Sequence, residues 1–469
     1  MKMTAKQMTA LLLLPMLAAG CGGGEATPSD TTIAPDTSAE ETDMYSNVPT
    51  ADYKGYTFTV LNSAFDWCLY QMGAEEMSGE IYNDAVFQRN TALEERLNIK
   101  FEVHEEDINS VAMEKLEALV LANDDVYDAA YISVLNASPK ASAGYYLDLY
   151  SIDSLHLSEP WWNQRSIPSY ELKGKLYWAH GYGQIQYFDC LWTLYFNRSL
   201  IDDLKLDDPY QMVLDGTWTL DIFNNMMTTA AQDLDGNGTL NESDRFGMTC
   251  INGVSLAMLH SAGESAISLK DGVPVISTLD DKLADTFEKI QNTLSTSHIR
   301  MRDDDFKEGL FLNGQSLFYG ETLGHAADLR NMNADFGIIP YPKYDDNQAE
   351  YGSYMSPSAM GVYIPTTVAD PERSGTVIEC LNALSYETVL PIYYDLVLGE
   401  KHLRDEYSKE VIDIMFESAE SELAYVYRWN NYHQTVMNMM IQGLAIASTL
   451  ESERAATEAA IAAFMEQLG

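Results

Sequence analysis

The sequence predicts an α/β protein of two lobes, each a central sheet flanked by helices, and three observations carry that expectation. Strand-like and helix-like segments alternate through the first third of the chain, the pattern of a parallel sheet whose neighbouring strands are joined by helical crossovers. At 469 residues, 46% of them hydrophobic, the chain exceeds what a single core usually holds. The mid-chain stretch 172–204, LKGKLYWAHGYGQIQYFDCLWTLYFNRSLIDDL, carries two aromatic-rich runs, 176–179 and 190–197, on either side of Gly181 and Gly183. Glycine lets the backbone turn there, and a helical pattern at 198–204 follows the second run at once, so a new α/β unit starts just past the glycines. The stretch is therefore expected to cross between lobes; the alternative is a buried hairpin inside one large domain.

Taken in order, the chain opens on a targeting segment at 1–20. Lys2 and Lys6 give a positive start, 8–17 is a short apolar core, and Leu17-Ala18-Ala19-Gly20 runs into Cys21. The core is too short for a membrane-spanning helix and reads as a signal peptide. Small residues ending at a cysteine resemble the bacterial lipobox, Leu-x-x-Gly/Ala-Cys, which implies lipid on Cys21 as the mature N-terminus. From there to residue 50 the composition is Gly, Ser, Thr, Asp, Glu and Pro, too poor in large apolar groups to offset the entropy of ordering, so 21–50 is expected to be a flexible tether. Anchor and tether place the folded part on the extracellular face of the cell membrane. Cys68, Cys190, Cys250 and Cys380 form no CxxC pair, which speaks against a zinc cluster or a dithiol redox motif; buried thiols are the default, with a disulfide left open.

The folded part begins with YTFTVL at 56–61, a strand, followed by the polar and aromatic loop NSAFDW at 62–67. A helix is expected over 81–97, with Ile81, Ala85, Ala92, Leu93 and Leu97 on or near one face, then a strand at 101–103, a helix at 111–122 and a strand at 128–134. Ligands of open α/β sheets sit beyond the carboxyl ends of the strands, which makes Asp66 and Trp67 site candidates. Glu80, Asn83 and Asp84 precede or open a helix and can equally cap it. Further on, 220–231 reads as a helix, 338–341 and 360–364 as strands, 371–386 as a helix with proline in its first turn, and 407–469 as mostly helical, ending in the alanine-rich 451–468. No repeat and no run of eighteen apolar residues appears in that tail.

Charge and motifs narrow the function. Lys plus Arg number 28 against 71 Asp plus Glu, and the net charge of −43 repels polyphosphate, so nucleic acid is excluded as a partner; a solvated acidic surface accounts for the excess. None of the eight histidines forms HExxH and there is no GxSxG. The nearest phosphate-loop match, GLFLNGQS at 309–316, has Gln315 where lysine is required. A glycosidase needs only two placed carboxylates, and with 71 acids that alternative stays open.

Five segments then carry a resemblance. GEIYNDAVFQRNTALEERLNIKF at 79–101, LDLYSIDSLHLSEPWWN at 147–163, LYFNRSLIDDL at 194–204, DGTWTLDIF at 215–223 and DFGIIPYPK at 335–343 resemble, in the same order, the extracellular solute-binding lipoproteins of ABC importers, the sugar-binding branch. Together they cover essentially the whole chain. The resemblance implies a periplasmic-binding-protein-like type II clamp with a hinge of two or three crossings, lobe 1 at 51–187 and 352–398 and lobe 2 at 188–351 and 399–469. It implies a monomer without enzymatic activity that closes on a carbohydrate, an oligosaccharide, and delivers it to a membrane permease. Flat aromatic faces suit sugar rings, and the candidates are Trp67, Trp161, Trp162, Tyr182, Trp192, Tyr319, Tyr354 and Trp429, each with core packing as its alternative. Asp66, Glu321 and Trp429 stand where members of that family often contact solute. A secreted glycosidase, or a peptide-binding or adhesion protein on the same scaffold, are the competing functions.

The sharpest local pattern is DLDGNGTLNESD at 233–244. Asp233, Asp235 and Asn237 fall at loop positions one, three and five, and Gly238 stands at the sharp turn of position six. Thr239 would give its carbonyl, Asn241 a direct or water-mediated contact, and Asp244 closes the loop where glutamate is usual. A structural Ca2+ is the cofactor expected there, in the weak extracellular range because aspartate is one methylene short; the alternative is a solvated turn.

Overall fold

The computed structural model describes residues 48–63, 72–301, 306–399 and 407–468; the expected signal peptide, Cys21 with its tether, and the site candidates Asp66 and Trp67 lie outside the described residues. In chain order the strands are β1 (Tyr56–Ser63), β2 (Ile99–Glu106), β3 (Ala129–Ser133), β4 (Trp192–Asn197), β5 (Phe246–Cys250), β6 (Ile267–Lys270) and β7 (Val273–Ile276), then β8 (Ile299–Met301), β9 (Ser316–Thr322), β10 (Phe336–Ile339), β11 (Ser353–Tyr354), β12 (Met360–Tyr363) and β13 (Ala419–Glu420). They build a four-stranded sheet, β12-β3-β1-β2, and a five-stranded sheet, β10-β4-β9-β5-β8, with helices packed on both. This is the expected α/β architecture, one sheet to each lobe. In the first sheet β1 runs parallel to β2 and β3 while β12 returns antiparallel. In the second, β5 is parallel to β8 and β9, and β4 is antiparallel between β9 and β10.

The first helix, Ile81–Leu97, shows why these segments fold as they do. Glu80 is its N-cap, and its carboxylate accepts the backbone N–H groups of Tyr82 at 3.2 Å and Asn83 at 2.7 Å, two donors that have no partner inside the helix. Asp84, in the first turn, accepts the N–H groups of Ser78 and Gly79 and so ties down the turn before the helix. At the other end Asn98 adopts the left-handed conformation, which asparagine tolerates. Its buried face is Tyr82, Ala85, Val86, Arg89, Asn90, Leu93 and Leu97; Ile81, expected on that face, is exposed.

The mid-chain stretch crosses between lobes. Ala179 bridges to Val362 of β12 in the first sheet, whereas β4 lies in the second and leads at once into the helix Arg198–Leu204. The hairpin alternative falls with that. The run at 176–179 makes an isolated bridge and is not a strand. Nor do the glycines serve a left-handed turn: a Cβ on Gly181 would lie 2.4 Å from Nδ2 of Asn382 and one on Gly183 2.7 Å from its Oδ1, so glycine is needed for the close approach of the helix Pro371–Thr388. A second crossing runs beside the first, with Leu191 bridging Met355 and the Ser356 N–H donating to the Cys190 carbonyl at 2.9 Å. In the tail, the helix Leu423–Tyr427 packs on Val134–Ala137 below β3, and the long helix Ile446–Leu468 lies against both the turn Ser138–Ala143 and β7. Among the described residues no helix is long and apolar enough to cross a membrane.

Candidate functional site

The carboxyl ends of both sets of parallel strands meet the two crossings, and the polar side chains collect there. At the end of β1, Asn62 Oδ1 accepts from Gln184 Nε2 at 3.0 Å, and Asn62 Nδ2 donates to Glu105 Oε2 of β2 at 2.6 Å. Burial raises the Glu105 carboxyl, against the bonds from Asn62 and the Gly73 N–H, which favour its charged form. Beside this chain the Ser63 hydroxyl donates to Asn109 Oδ1, which also accepts the Ser133 N–H of β3 at 3.0 Å. Amides and hydroxyls thus lace three strand ends to the first crossing.

Among the described residues, several buried groups in this neighbourhood have no hydrogen-bond partner: Nδ2 of Asn109, Nε2 and Oε1 of Gln186, Nε2 of His180, the Tyr131 hydroxyl and Nδ2 of Asn382. Burial pushes His180 down to about 4, so its ring is neutral; Nδ1–H donates to the Met360 carbonyl at 2.8 Å, which leaves Nε2 a bare acceptor. Each unmet buried group costs about 1–3 kcal/mol. All six atoms are uncharged, and they include both donors and acceptors, which is the complement of a neutral, hydroxyl-rich molecule or of ordered water.

Aromatic rings cluster beside the second sheet and the crossings. Trp192 opens β4 opposite Thr322, the neighbour of Glu321 at the end of β9. Its indole lies over Gly253, where a Cβ would come within 2.1 Å of the ring, so only glycine fits beneath it. Tyr354 stands 6.3 Å from Trp192 and stacks at 5.1 Å on His260, with its hydroxyl unpartnered. Glu321 is nearly buried, accepts the Thr322 N–H at 3.1 Å, and lies 3.9 Å from His325 Nε2. Tyr182 is half-buried on the first crossing and stacks on Tyr386 at 5.5 Å. Trp192 and Tyr354 are therefore brought together, whereas Glu321, paired with Thr193, projects from the other face of the sheet, and Tyr182 stands at the first crossing.

The other aromatic candidates are placed for packing. Both Trp161 and Trp162 donate their indole N–H groups to Glu379, at 2.7 and 3.0 Å, which pins the segment before the crossing to the helix Pro371–Thr388. Tyr319 is fully buried between Tyr195 at 5.6 Å and Phe311 at 5.7 Å, beneath the helix Phe306–Leu312. The indole N–H groups of Trp161 and Trp162 are taken by Glu379, and the Tyr319 ring is stacked in the core, so these three take part in packing. Trp429 is 4% exposed, with Tyr427 at 4.8 Å and Phe464 at 5.5 Å. Its neighbours Arg428, Asn430 and Asn431 are all left-handed, and its indole N–H has no partner.

At 233–244 the loop is closed on itself by hydrogen bonds. The two oxygens of Asp233 accept the N–H groups of Gly236 and Gly238, each at 2.7 Å; both glycines have positive φ. Asp244 is buried and accepts from Leu234 and Asn241, while Asn241 Nδ2 reaches Asp235 at 3.0 Å. Carboxylate oxygens of Asp233, Asp235 and Asp244 lie within 4.8 Å of one another. Hard oxygen donors at that spacing fit Ca2+, with Asn237, Asn241 and the Thr239 carbonyl to complete the set.

No family profile matches the chain, and no curated protein does. Solved structures match along most of its length. The galacto-N-biose/lacto-N-biose I-binding protein of an ABC transporter from Bifidobacterium longum, in complex with lacto-N-biose, superposes with a TM-score of 0.60 at 12% identity over 88% of this chain and 98% of that one. A cyclic α-maltosyl-1,6-maltose-binding protein from Arthrobacter globiformis gives 0.59 at 14% identity over 87% and 99%. The GacH receptor of Streptomyces glaucescens, solved unliganded and with acarbose, gives 0.53 at 12% identity over 88% and 98%. The fold is that of the two-lobed, periplasmic-binding-protein-like clamps.

Proposed function

We propose that this protein is the substrate-binding subunit of an ABC importer, anchored by lipid on Cys21 to the extracellular face of the cell membrane. It captures an oligosaccharide between its lobes and delivers it to a permease without chemical change. The observation that carries this is the set of buried, uncharged donors and acceptors at the strand ends of the first sheet, supported by Trp192 at the start of β4 in the second sheet with Tyr354 at 6.3 Å. Apolar ring faces flanked by a few fixed polar groups are what a sugar site needs. Neighbours of the same fold bind lacto-N-biose and acarbose, which supports the ligand class. Closure follows from differential affinity: a ligand touching both lobes shifts the population toward the closed form, and a single chain supplies both walls, so a monomer suffices.

Thermal-shift screening against glycans and peptides tests the assignment. A glycan at a hundredfold its Kd is expected to add about 2.7 kcal/mol to stability. Peptides that shift the protein where no glycan does would remove the sugar, and an oligosaccharide cleaved during overnight incubation would replace binding by glycosidase activity. Cys21→Ala is expected to release the protein from the membrane fraction.

The loop at 233–244 is proposed as a structural Ca2+ site of about 10⁻⁴–10⁻³ M affinity. Millimolar calcium is then expected to raise the Tm, magnesium to do little because it demands tighter octahedral geometry, and Asp235→Ala to abolish the difference. A Tm indifferent to calcium and to chelator counts against the metal.

A further inference from the structure

Asp189 lies in the turn Ile185–Cys190, the segment that carries the chain from the first lobe into β4, and it is 2% exposed. Both lobes grip it. From the first-lobe side, Tyr393 of the helix Leu390–Gly399, which packs on Ile81–Leu97 and Pro371–Thr388, donates its hydroxyl to Oδ1 at 2.9 Å. From the second-lobe side, the turn Leu323–Asn331 after β9 presses Gly324 against it: a Cβ there would lie 3.0 Å from the Cβ of Asp189 and 3.4 Å from its Cγ. The Leu323 N–H meanwhile donates to the Leu191 carbonyl at 2.8 Å. The carboxyl group thus sits at the crossing, where the Tyr393 hydroxyl of a first-lobe helix meets a segment that is hydrogen-bonded to the second sheet.

The charged and titratable groups around it are few. His325, on the turn of Gly324, favours the carboxylate, but its ring is held by Asp328 at 2.8 Å and lies 3.9 Å from Glu321. Tyr195 of β4 is buried and has its own ionisation pushed up, in part by Asp189. Tyr393 completes the set; β12, packed against the same turn, carries no ionisable group but Tyr363. Among the described residues no lysine or arginine pairs with Asp189. A buried carboxylate with one hydroxyl donor and no cation is expensive, whereas the neutral acid is not.

We propose that Asp189 is a proton-operated latch of the hinge, which holds the lobes together as the neutral acid and loosens them when it ionises. Burial, set against the Tyr393 bond and the His325 charge, raises this carboxyl from the usual 3.8 to about 7. The sign follows from linkage. The closed arrangement binds the proton more tightly than a hydrated carboxyl does, so its advantage is complete below the ordinary carboxylate pKa and is lost as pH rises through the raised value. Opening lets water reach the carboxylate. The latch belongs to the hinge and does not rest on the ligand being a sugar.

The test uses ligand-free protein carrying a spin label on each lobe, at the exposed positions Leu121→Cys and Asp202→Cys, with single-label controls. Interlobe distances are measured by pulsed electron resonance from about pH 5.5 to about pH 8.5, the window in which a carboxyl raised this far changes charge. The parent is expected to lengthen with a midpoint near the raised value, Asp189→Asn to stay closed throughout, and Tyr393→Phe, which removes the donor favouring the carboxylate, to move the midpoint upward. A parent distance that does not change overturns the latch. So does a parent-like transition in Asp189→Asn, which would assign the titration to His325. If Asp189→Asn does not fold, Tyr393→Phe decides: an unmoved midpoint overturns the proposal.

Discussion

Glu422→Ala is expected to destabilise the protein by about 3 kcal/mol or more, because each buried donor left without its acceptor costs about 1–3 kcal/mol. The side chain is fully buried and accepts four bonds, from the backbone N–H groups of Ala266 at 2.9 Å, Ile267 at 3.2 Å and Ala424 at 3.1 Å and from His260 Nε2 at 3.3 Å. Alanine would strand all of these donors, including the imidazole on which Tyr354 stacks. Burial raises the Glu422 carboxyl, but the bond and charge of His260 and the backbone N–H groups outweigh it, and the net effect holds it below its usual 4.5. A lowered folded value means a contribution present above the unfolded carboxylate pKa and lost as acid brings the pH below it. Urea melts should therefore show a parent that weakens in acid and a Glu422→Gln variant, still able to accept but not to ionise, that weakens less. A loss under about 1 kcal/mol in Glu422→Ala, the size of an ordinary exposed pair, would mean the anchor is not what joins these segments.

Trp429→Ala is expected to cost a similar amount, about 3–5 kcal/mol, because the ring is buried between Tyr427 and Phe464 and its removal leaves a cavity. The ligand role suggested for Trp429 by its place in the chain predicts the opposite balance, affinity falling while stability holds. Urea denaturation and ligand titration on the same variant separate the two. Unchanged stability with affinity reduced tenfold or more would return Trp429 to the crevice, with its unpartnered indole N–H as the contact; three left-handed neighbours, two of them asparagines, give that segment a fixed and costly shape.

What the sequence made legible is what local chemistry decides. The helix over 81–97 could be bounded at both ends because its cap residues are adjacent to it, Glu80 before and Asn98 after. The strand-to-helix step into 198–204 was equally clear, since Asn197 takes the Leu200 N–H and starts the helix itself. Composition failed where partners are distant. Leu176 to Ala179 has the residues of a strand, but the neighbouring backbone that would pair with it offers one bridge only. Trp161 and Trp162 cannot be told from sugar platforms until Glu379, far along the chain, is seen to take both indole N–H groups. The amides that matter most, Asn62, Asn109, Gln184 and Gln186, gave little signal: a single amide in an apolar run is as readily a surface residue as a binding one, and only the fold brings these four together.

The pairing of the crossings has a mechanical consequence. Leu191 bridges Met355, Met355 donates to the Glu420 carbonyl at 2.8 Å, and β11 lies parallel to β13, so three chain segments run side by side through the hinge as a hydrogen-bonded ribbon. A ribbon flexes readily across its thin direction and resists shear in its own plane, because shear breaks hydrogen bonds and flexing does not. Under the proposed clamp function, opening is expected to be a rotation about one axis, with little sliding or twist of one sheet over the other. Under that function, a mutation that stiffens or softens this ribbon is expected to change how often the lobes part without altering what fits between them.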